Sequence, residues 1–317
     1  MMRNQGGRTP VAHVPGVLVG LTVAVLSAPA PMVAGCARKD STVDPRPNTL
    51  QKDGDTRSSD GVRIAYSTWG DGAPAVVLIH GGLANRGFWR HQLAHISATH
   101  QVVAIDLAGH GQSSRERTNW GIAQFAADVR AVADHLALTR LVIVGNSLGG
   151  PVALEAAALL PGRAIGVVGI DTFHNATAQQ DPAEVIARAS AFEADPLGSC
   201  QSMVQQLLHP QGHAELRVWA EGEMCKVPAQ VVGPMLRAFA GYDLTAAMRA
   251  ARVPIRAING DLWPTMVAVN RTVVPDFEAI IMPGTGHYPM LEQPEVFNSI
   301  LEDLVVQLDR DWPSRPR

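Results

Sequence analysis

The chain has 317 residues, 46% hydrophobic and 17% charged, which is enough apolar sequence for one large domain with a well-buried core. Its formal net charge is -3, and its Lys and Arg residues are scattered rather than striped along one face. That distribution offers no footing for a nucleic-acid partner.

At the N-terminus Arg3 and Arg8 precede an uncharged apolar run, Gly16 to Ala28, that ends in small residues and prolines, the layout of a signal-peptide h-region. Pro15, Pro29 and Pro31 interrupt it before the roughly 20 residues a spanning helix needs. Val33-Ala34-Gly35-Cys36 resembles the lipobox of bacterial lipoproteins. The resemblance implies removal of residues 1–35 and acyl chains on Cys36 that hold the chain to a membrane of the bacterial cell envelope. An ordinary secretory signal beside an unrelated cysteine would also export the chain, but free. Residues 36–60 are charged, contain Pro and Ser and carry almost no large apolar side chains, so a flexible tether is expected.

After the tether, short β-rich runs alternate with longer helical ones, the rhythm of an α/β sheet. Val62 to Trp69 alternates like a strand near an edge, Asp71-Gly72 makes a turn, and Ala75 to Ile79 is a continuous apolar run expected in the sheet centre. Further strands are expected at Gln101 to Ile105, Leu141 to Val144, Ile165 to Ile170, Ile255 to Ile258 and Phe277 to Met282. Helices are expected at Gly121 to Leu136, Leu148 to Leu160 and Pro294 to Leu308, the last burying Val296, Phe297, Ile300, Leu301, Leu304 and Val305. Between Thr172 and Ala250 the strand signals give way to helical ones, as in Ala183 to Phe192, Gln201 to Leu208 and Val231 to Phe239. This insertion, 172–250, is long enough to cap the carboxyl ends of the strands, leaving 61–171 and 251–317 as the core. Cys200 and Cys225 within it could form a disulfide in an exported protein or remain buried thiols.

The chemistry centres on Gly145-Asn146-Ser147-Leu148-Gly149, set between a buried strand and a helix. This is the context of a nucleophile elbow, in which a sharp turn exposes the serine and flanking glycines admit the close backbone.

With this motif the segment from about Val62 to Leu304 resembles an α/β-hydrolase. Ile79-His80-Gly81-Gly82 resembles the family's oxyanion loop, Asp106 to Ser113 its turn after the next strand, and Gly284-Thr285-Gly286-His287 with Glu292, Pro294 and Phe297 its histidine loop. The resemblance implies a mostly parallel sheet with helices on both faces and a helical cap. It implies Ser147 as nucleophile, His287 as general base, and the N–H groups of Gly82 and Leu148 as oxyanion donors, with Leu83 a substitute for Gly82. His80 and His110 are expected to hold loops rather than act as bases.

The acid departs from the common pattern. Three residues beyond Gly260, where the family usually keeps it, stands Trp263; the nearest carboxylate in that loop is Asp261. Another arrangement in the family puts the acid directly after the strand that follows the elbow helix, here Asp171. Both Asp171 and Asp261 remain candidates. A serine rather than an aspartate at the elbow points away from dehalogenase and epoxide-hydrolase chemistry and towards hydrolysis of an ester or related small acyl substrate through an acyl-enzyme. That chemistry requires neither metal nor organic cofactor. The competing reading, prompted by Trp263, is a catalytically silent hydrolase fold that binds a ligand or partner at the cell surface.

Overall fold

The continuous apolar runs form the parallel part of an eight-stranded sheet in a computed structural model that describes residues 51–212 and 214–312. In chain order the strands are Lys52–Arg57 (β1), Arg63–Trp69 (β2), Ala75–Ile79 (β3), Val102–Ile105 (β4), Leu141–Asn146 (β5), Ala164–Ile170 (β6), Ile255–Gly260 (β7) and Glu278–Met282 (β8). They lie in the order β1-β2-β4-β3-β5-β6-β7-β8. β2 is antiparallel to both β1 and β4, and every other neighbouring pair is parallel. Strands β3, β4, β5, β6 and β7 are buried at every position, which is why β3, β4, β6 and β5 up to Val144 read as apolar runs, whereas β7 carries buried Arg256 and Asn259. Each buried Val, Leu or Ile there stabilises the fold by about 1.5–3 kcal/mol.

The helices are Arg90–Ile96 (α1), Ile122–His135 (α2), Gly149–Leu159 (α3), Pro182–Ala194 (α4), Pro196–Leu207 (α5), Ala214–Met224 (α6), Ala229–Arg237 (α7), Leu244–Ala250 (α8), Val267–Val273 (α9), Pro289–Glu292 (α10) and Pro294–Asp311 (α11). Asp181 and Asp195 cap α4 and α5, accepting from the N–H groups of Ala183 and Gly198, and each is followed by a proline pre-set for the first helical turn. Between β6 and β7 the described residues contain five helices and no strand. The first four make the expected cap, whereas α8 packs on α3 of the core. Cys200 of α5 is disulfide-bonded to Cys225, the residue after α6, which resolves the choice left open by the sequence.

Two expectations need correction. β2 lies next to the sheet edge, as the alternation of Val62 to Trp69 leads one to expect, but the edge strand itself, β1, lies inside the stretch expected to be a tether. Its side chains are largely exposed and it is held by main-chain pairing with β2, from Lys52 opposite Thr68 to Arg57 opposite Arg63, so it needs no apolar sequence. On α11 Val296 is 52% exposed and Leu308 takes its place in the core with Phe297, Leu301, Leu304 and Val305. β8 is the other edge, with Ile280 and Ile281 partly open to water. Residues 1–35, Cys36 and the tether up to residue 50 lie outside the described residues. Among the described residues no helix is long and apolar enough to cross a membrane.

Candidate active site

Ser147 stands between β5 and α3 with φ of 53°, a left-handed conformation that a side-chain-bearing residue adopts only when its surroundings enforce it. The enforcement is local. Ser147 N–H donates to Ile170 O at 3.0 Å, and its carbonyl accepts from Gly150 N–H at 2.9 Å. A Cβ at Gly145 would lie 1.9 Å from Gly149 O, and one at Gly149 would lie 2.5 Å from Ile79 O, so both flanking glycines are required by close backbone approach. The turn aims Ser147 into a cavity of about 810 Å³ that Gly82, Trp263 and His287 also line, with Met235 and Phe239 closing it from the cap side. Among the described residues the Ser147 hydroxyl has no hydrogen-bond partner.

Gly82, in the loop after β3, lines the cavity with Ser147, and Leu148 follows Ser147 directly, at the N-terminal end of α3. Among the described residues neither the Gly82 nor the Leu148 N–H has an acceptor. Leu83 N–H, by contrast, is taken by His110 Nε2 at 3.3 Å, which removes it as a substitute for Gly82. His80 donates from Nδ1 to Gly81 O at 2.7 Å and accepts from Leu107 N–H at 3.0 Å on Nε2. His110 donates from Nδ1 to Ala108 O at 2.9 Å. Burial pushes the pKa of His80 down to about 4 and, with the neighbouring His80, that of His110 down to about 3. Both rings are therefore neutral and fix loops.

His287 is brought to the cavity by the loop after β8. Its Nδ1 lies 2.5 Å from Oδ2 of Asp171, the residue directly after β6, which is 2% exposed. That contact keeps the proton on Nδ1 and leaves Nε2 as the basic nitrogen. Asp171 has φ of 45° and is anchored by its own N–H to Ile258 O at 3.0 Å and by Gly260 N–H to its Oδ1 at 3.1 Å. Burial alone would raise its pKa, but His174 and His287 outweigh that and hold it well below the ordinary carboxylate range. Asp261 is engaged elsewhere: its Oδ2 accepts from Gly284 N–H at 2.9 Å and its own N–H donates to Thr285 O at 3.1 Å. Trp263, at the usual acid position, meets His287 edge-on at a ring-centroid distance of 5.8 Å.

Several residues of this assembly were not singled out in the sequence. Asn146, fully buried, donates from Nδ2 to Ile170 O and to His287 O, both at 3.0 Å, and so ties together the segments bearing Ser147, Asp171 and His287. His174 places Nε2 3.6 Å from Asp171 Oδ1, too long for a hydrogen bond but within ion-pair range, and only its spacing of three residues from Asp171 could have signalled it. Glu292 was noted only as part of a motif. Its carboxylate accepts from the N–H groups of Gly286, Tyr288 and, across to the cap, His209, and its pKa is raised by burial against the pull of those amides. His287 N–H itself donates to Leu207 O at the end of α5, at 2.7 Å.

The comparisons agree with this architecture. An uncharacterized protein of Mycobacterium tuberculosis is 39% identical over 118 residues, 37% of this chain and 33% of that protein. The chain spans about a third of the length of the curated relatives it matches. A thermophilic esterase from Thermogutta terrifontis superposes with a TM-score of 0.72 at 21% identity, covering 81% of this chain and 99% of that one. A structure described as an N-acyl homoserine lactone degrading enzyme superposes with a TM-score of 0.65 at 26% identity, covering 78% and 98%. Residues 76–300, most of the sheet together with the whole cap, match the Alpha/beta hydrolase family, and the chain belongs to that family.

Proposed function

We propose that the protein is a serine hydrolase that cleaves a carboxylic ester or related acyl substrate through an acyl-enzyme. The observation that carries this reading is the line from Asp171 Oδ2 to His287 Nδ1, 2.5 Å, with Ser147 on a strained turn in the same cavity. Ser147 attacks the carbonyl as His287 takes its proton, and the N–H groups of Gly82 and Leu148 receive the charge that develops on the carbonyl oxygen. His287 returns the proton to the departing alcohol, and a water activated by the same imidazole releases the acid. Because the Ser147 hydroxyl has no hydrogen-bond partner among the described residues, its hydrogen bond to His287 forms as substrate seats.

A silent binding protein drew its support from Trp263 at the usual acid position, and a carboxylate on His287 from Asp171 withdraws that support. A fluorophosphonate probe that labels the wild-type chain, fails on Ser147→Ala and is matched by turnover of short aryl esters is the expected result. Folded wild-type protein that neither labels nor turns over any ester would leave the binding reading standing.

Export and lipid anchoring through Cys36 belong to the same proposal. The Cys200–Cys225 disulfide supports an oxidising compartment, since such bonds persist mainly outside the cytosol. Palmitate incorporation that disappears in Cys36→Ala, and processing that globomycin blocks, is the expected outcome. Processing without lipid would mark a freely secreted enzyme.

A further inference from the structure

One face of α4 carries a charged side chain in the lining of the Ser147 cavity. Val185, Arg188 and Phe192 fall on one side of the helix, at spacings of three and four residues, and all three line the Ser147 cavity. Val185 and Phe192 are buried, and Arg188, between them along the helix, is exposed. Among the described residues Arg188 has no carboxylate partner. Asp195, which also lines the cavity, spends its carboxylate on the Gly198 N–H. A guanidinium keeps its charge at every pH at which the protein is folded, so the cavity holds an uncompensated cation.

On this basis we propose an anion subsite at Arg188, so that the preferred substrate of the Ser147 centre is an ester carrying a carboxylate separated from the scissile carbonyl by an apolar segment. The inference rests on the acyl-transfer reading above. The apolar segment lies along Met235 and Phe239 from the cap, and the carboxylate meets the planar fork of Arg188, whose geometry suits two parallel hydrogen bonds. Gln180 and Ser202 line the same cavity and add neutral donors to that polar end. The anion takes no part in the bond changes: water is added across the ester and the subsite only orients it.

The test uses matched pairs. On the acyl side, mono-4-nitrophenyl esters of the four- to eight-carbon diacids, whose second carboxyl group is free, are compared with the corresponding neutral 4-nitrophenyl methyl diesters. On the alcohol side, 4-acetoxybenzoate is compared with its methyl ester. The expected result is a kcat/KM preference for the anionic member of roughly tenfold or more in one series, shrinking as salt is raised. The preference should collapse in Arg188→Gln and persist in part in Arg188→Lys. Equal or better hydrolysis of the neutral member in both series, or a preference that survives Arg188→Gln, overturns the subsite while labelling of Ser147 keeps the hydrolase reading intact. No hydrolysis of any ester and no fluorophosphonate label overturns both.

Discussion

Oδ2 of Asp171 sits 2.5 Å from Nδ1 of His287 although 116 residues separate them, and β6 rather than β7 delivers the carboxylate. If this pair orients the base, Asp171→Asn lowers kcat by roughly 10²- to 10⁴-fold with KM little changed, because the wrong tautomer of His287 is then favoured. Asp261→Asn costs far less, since Asp261 only braces the loop at Gly284 and Thr285. Steady-state turnover of one aryl ester by both variants checks the assignment. A larger loss in Asp261→Asn would transfer the role to that residue.

Asn146 binds the three catalytic segments through one amide. Asn146→Ala removes both donors and frees the backbone at His287, so kcat should drop on the order of 10²-fold, the scale of an ångström of misplacement. Binding of a non-hydrolysable substrate analogue should change little. A variant whose affinity falls as far as its kcat would show that Asn146 shapes the pocket rather than placing the base.

The depressed pKa of Asp171 has a stability consequence with a definite sign. Between its folded value and the ordinary 3.8 the unfolded chain binds more protons at this site, so stability there rises with pH. The contribution is fully present above about pH 5 and is lost as the pH falls through the folded value. Paired urea titrations of wild type and Asp171→Asn should therefore show a difference that is constant at neutral pH and narrows below 3.8. A difference that widens on acidification would mean that the carboxylate is not held ionised by His287 and His174.

The disulfide joins the two cap helices that touch the histidine loop. α5 accepts the His287 N–H on Leu207 O, and Met224 at the end of α6 receives the Tyr288 hydroxyl on its sulfur at 3.4 Å. Cys200 and Cys225 close a loop of sequence separation 25, for which chain entropy gives about 3.5 kcal/mol. The double variant Cys200→Ala/Cys225→Ala should lose about that much stability in urea and also show a lower kcat. An unchanged kcat would mean that the cap holds the loop without its staple.

The parts of this molecule legible in its sequence are those on which the physics acts locally. β3, β6 and β5 up to Val144 are buried on both faces and are apolar throughout, and the Ser147 turn needs glycines at fixed offsets, so both announce themselves. β1 does not, because an edge strand with exposed side chains is specified by pairing with β2 and not by composition. Asp171 could be placed by strand position alone, but the choice over Asp261 depended on which carboxylate reaches a ring 116 residues away in one case and 26 in the other. Asn146 occupies the variable position of the serine motif, where any residue satisfies the pattern, and only the tertiary fold gives its amide two carbonyls to hold.

Trp263 offers the sharpest test of why the acid sits after β6. It stands at the sequence position where the commoner arrangement keeps its carboxylate, and its ring meets that of His287 edge to face at 87°. In an Asp171→Asn background, Trp263→Asp places a carboxylate three residues beyond Gly260, on a loop still anchored to the histidine loop by Asp261. Recovery of roughly tenfold or more in kcat over Asp171→Asn is expected, because a triad is set by geometry and not by the strand that supplies its acid. The recovered activity should require His287. No recovery, in a variant shown to be folded by an unchanged urea midpoint, would mean that the backbone after β7 does not point a short side chain at Nδ1, so that replacing the tryptophan alone cannot produce the commoner geometry.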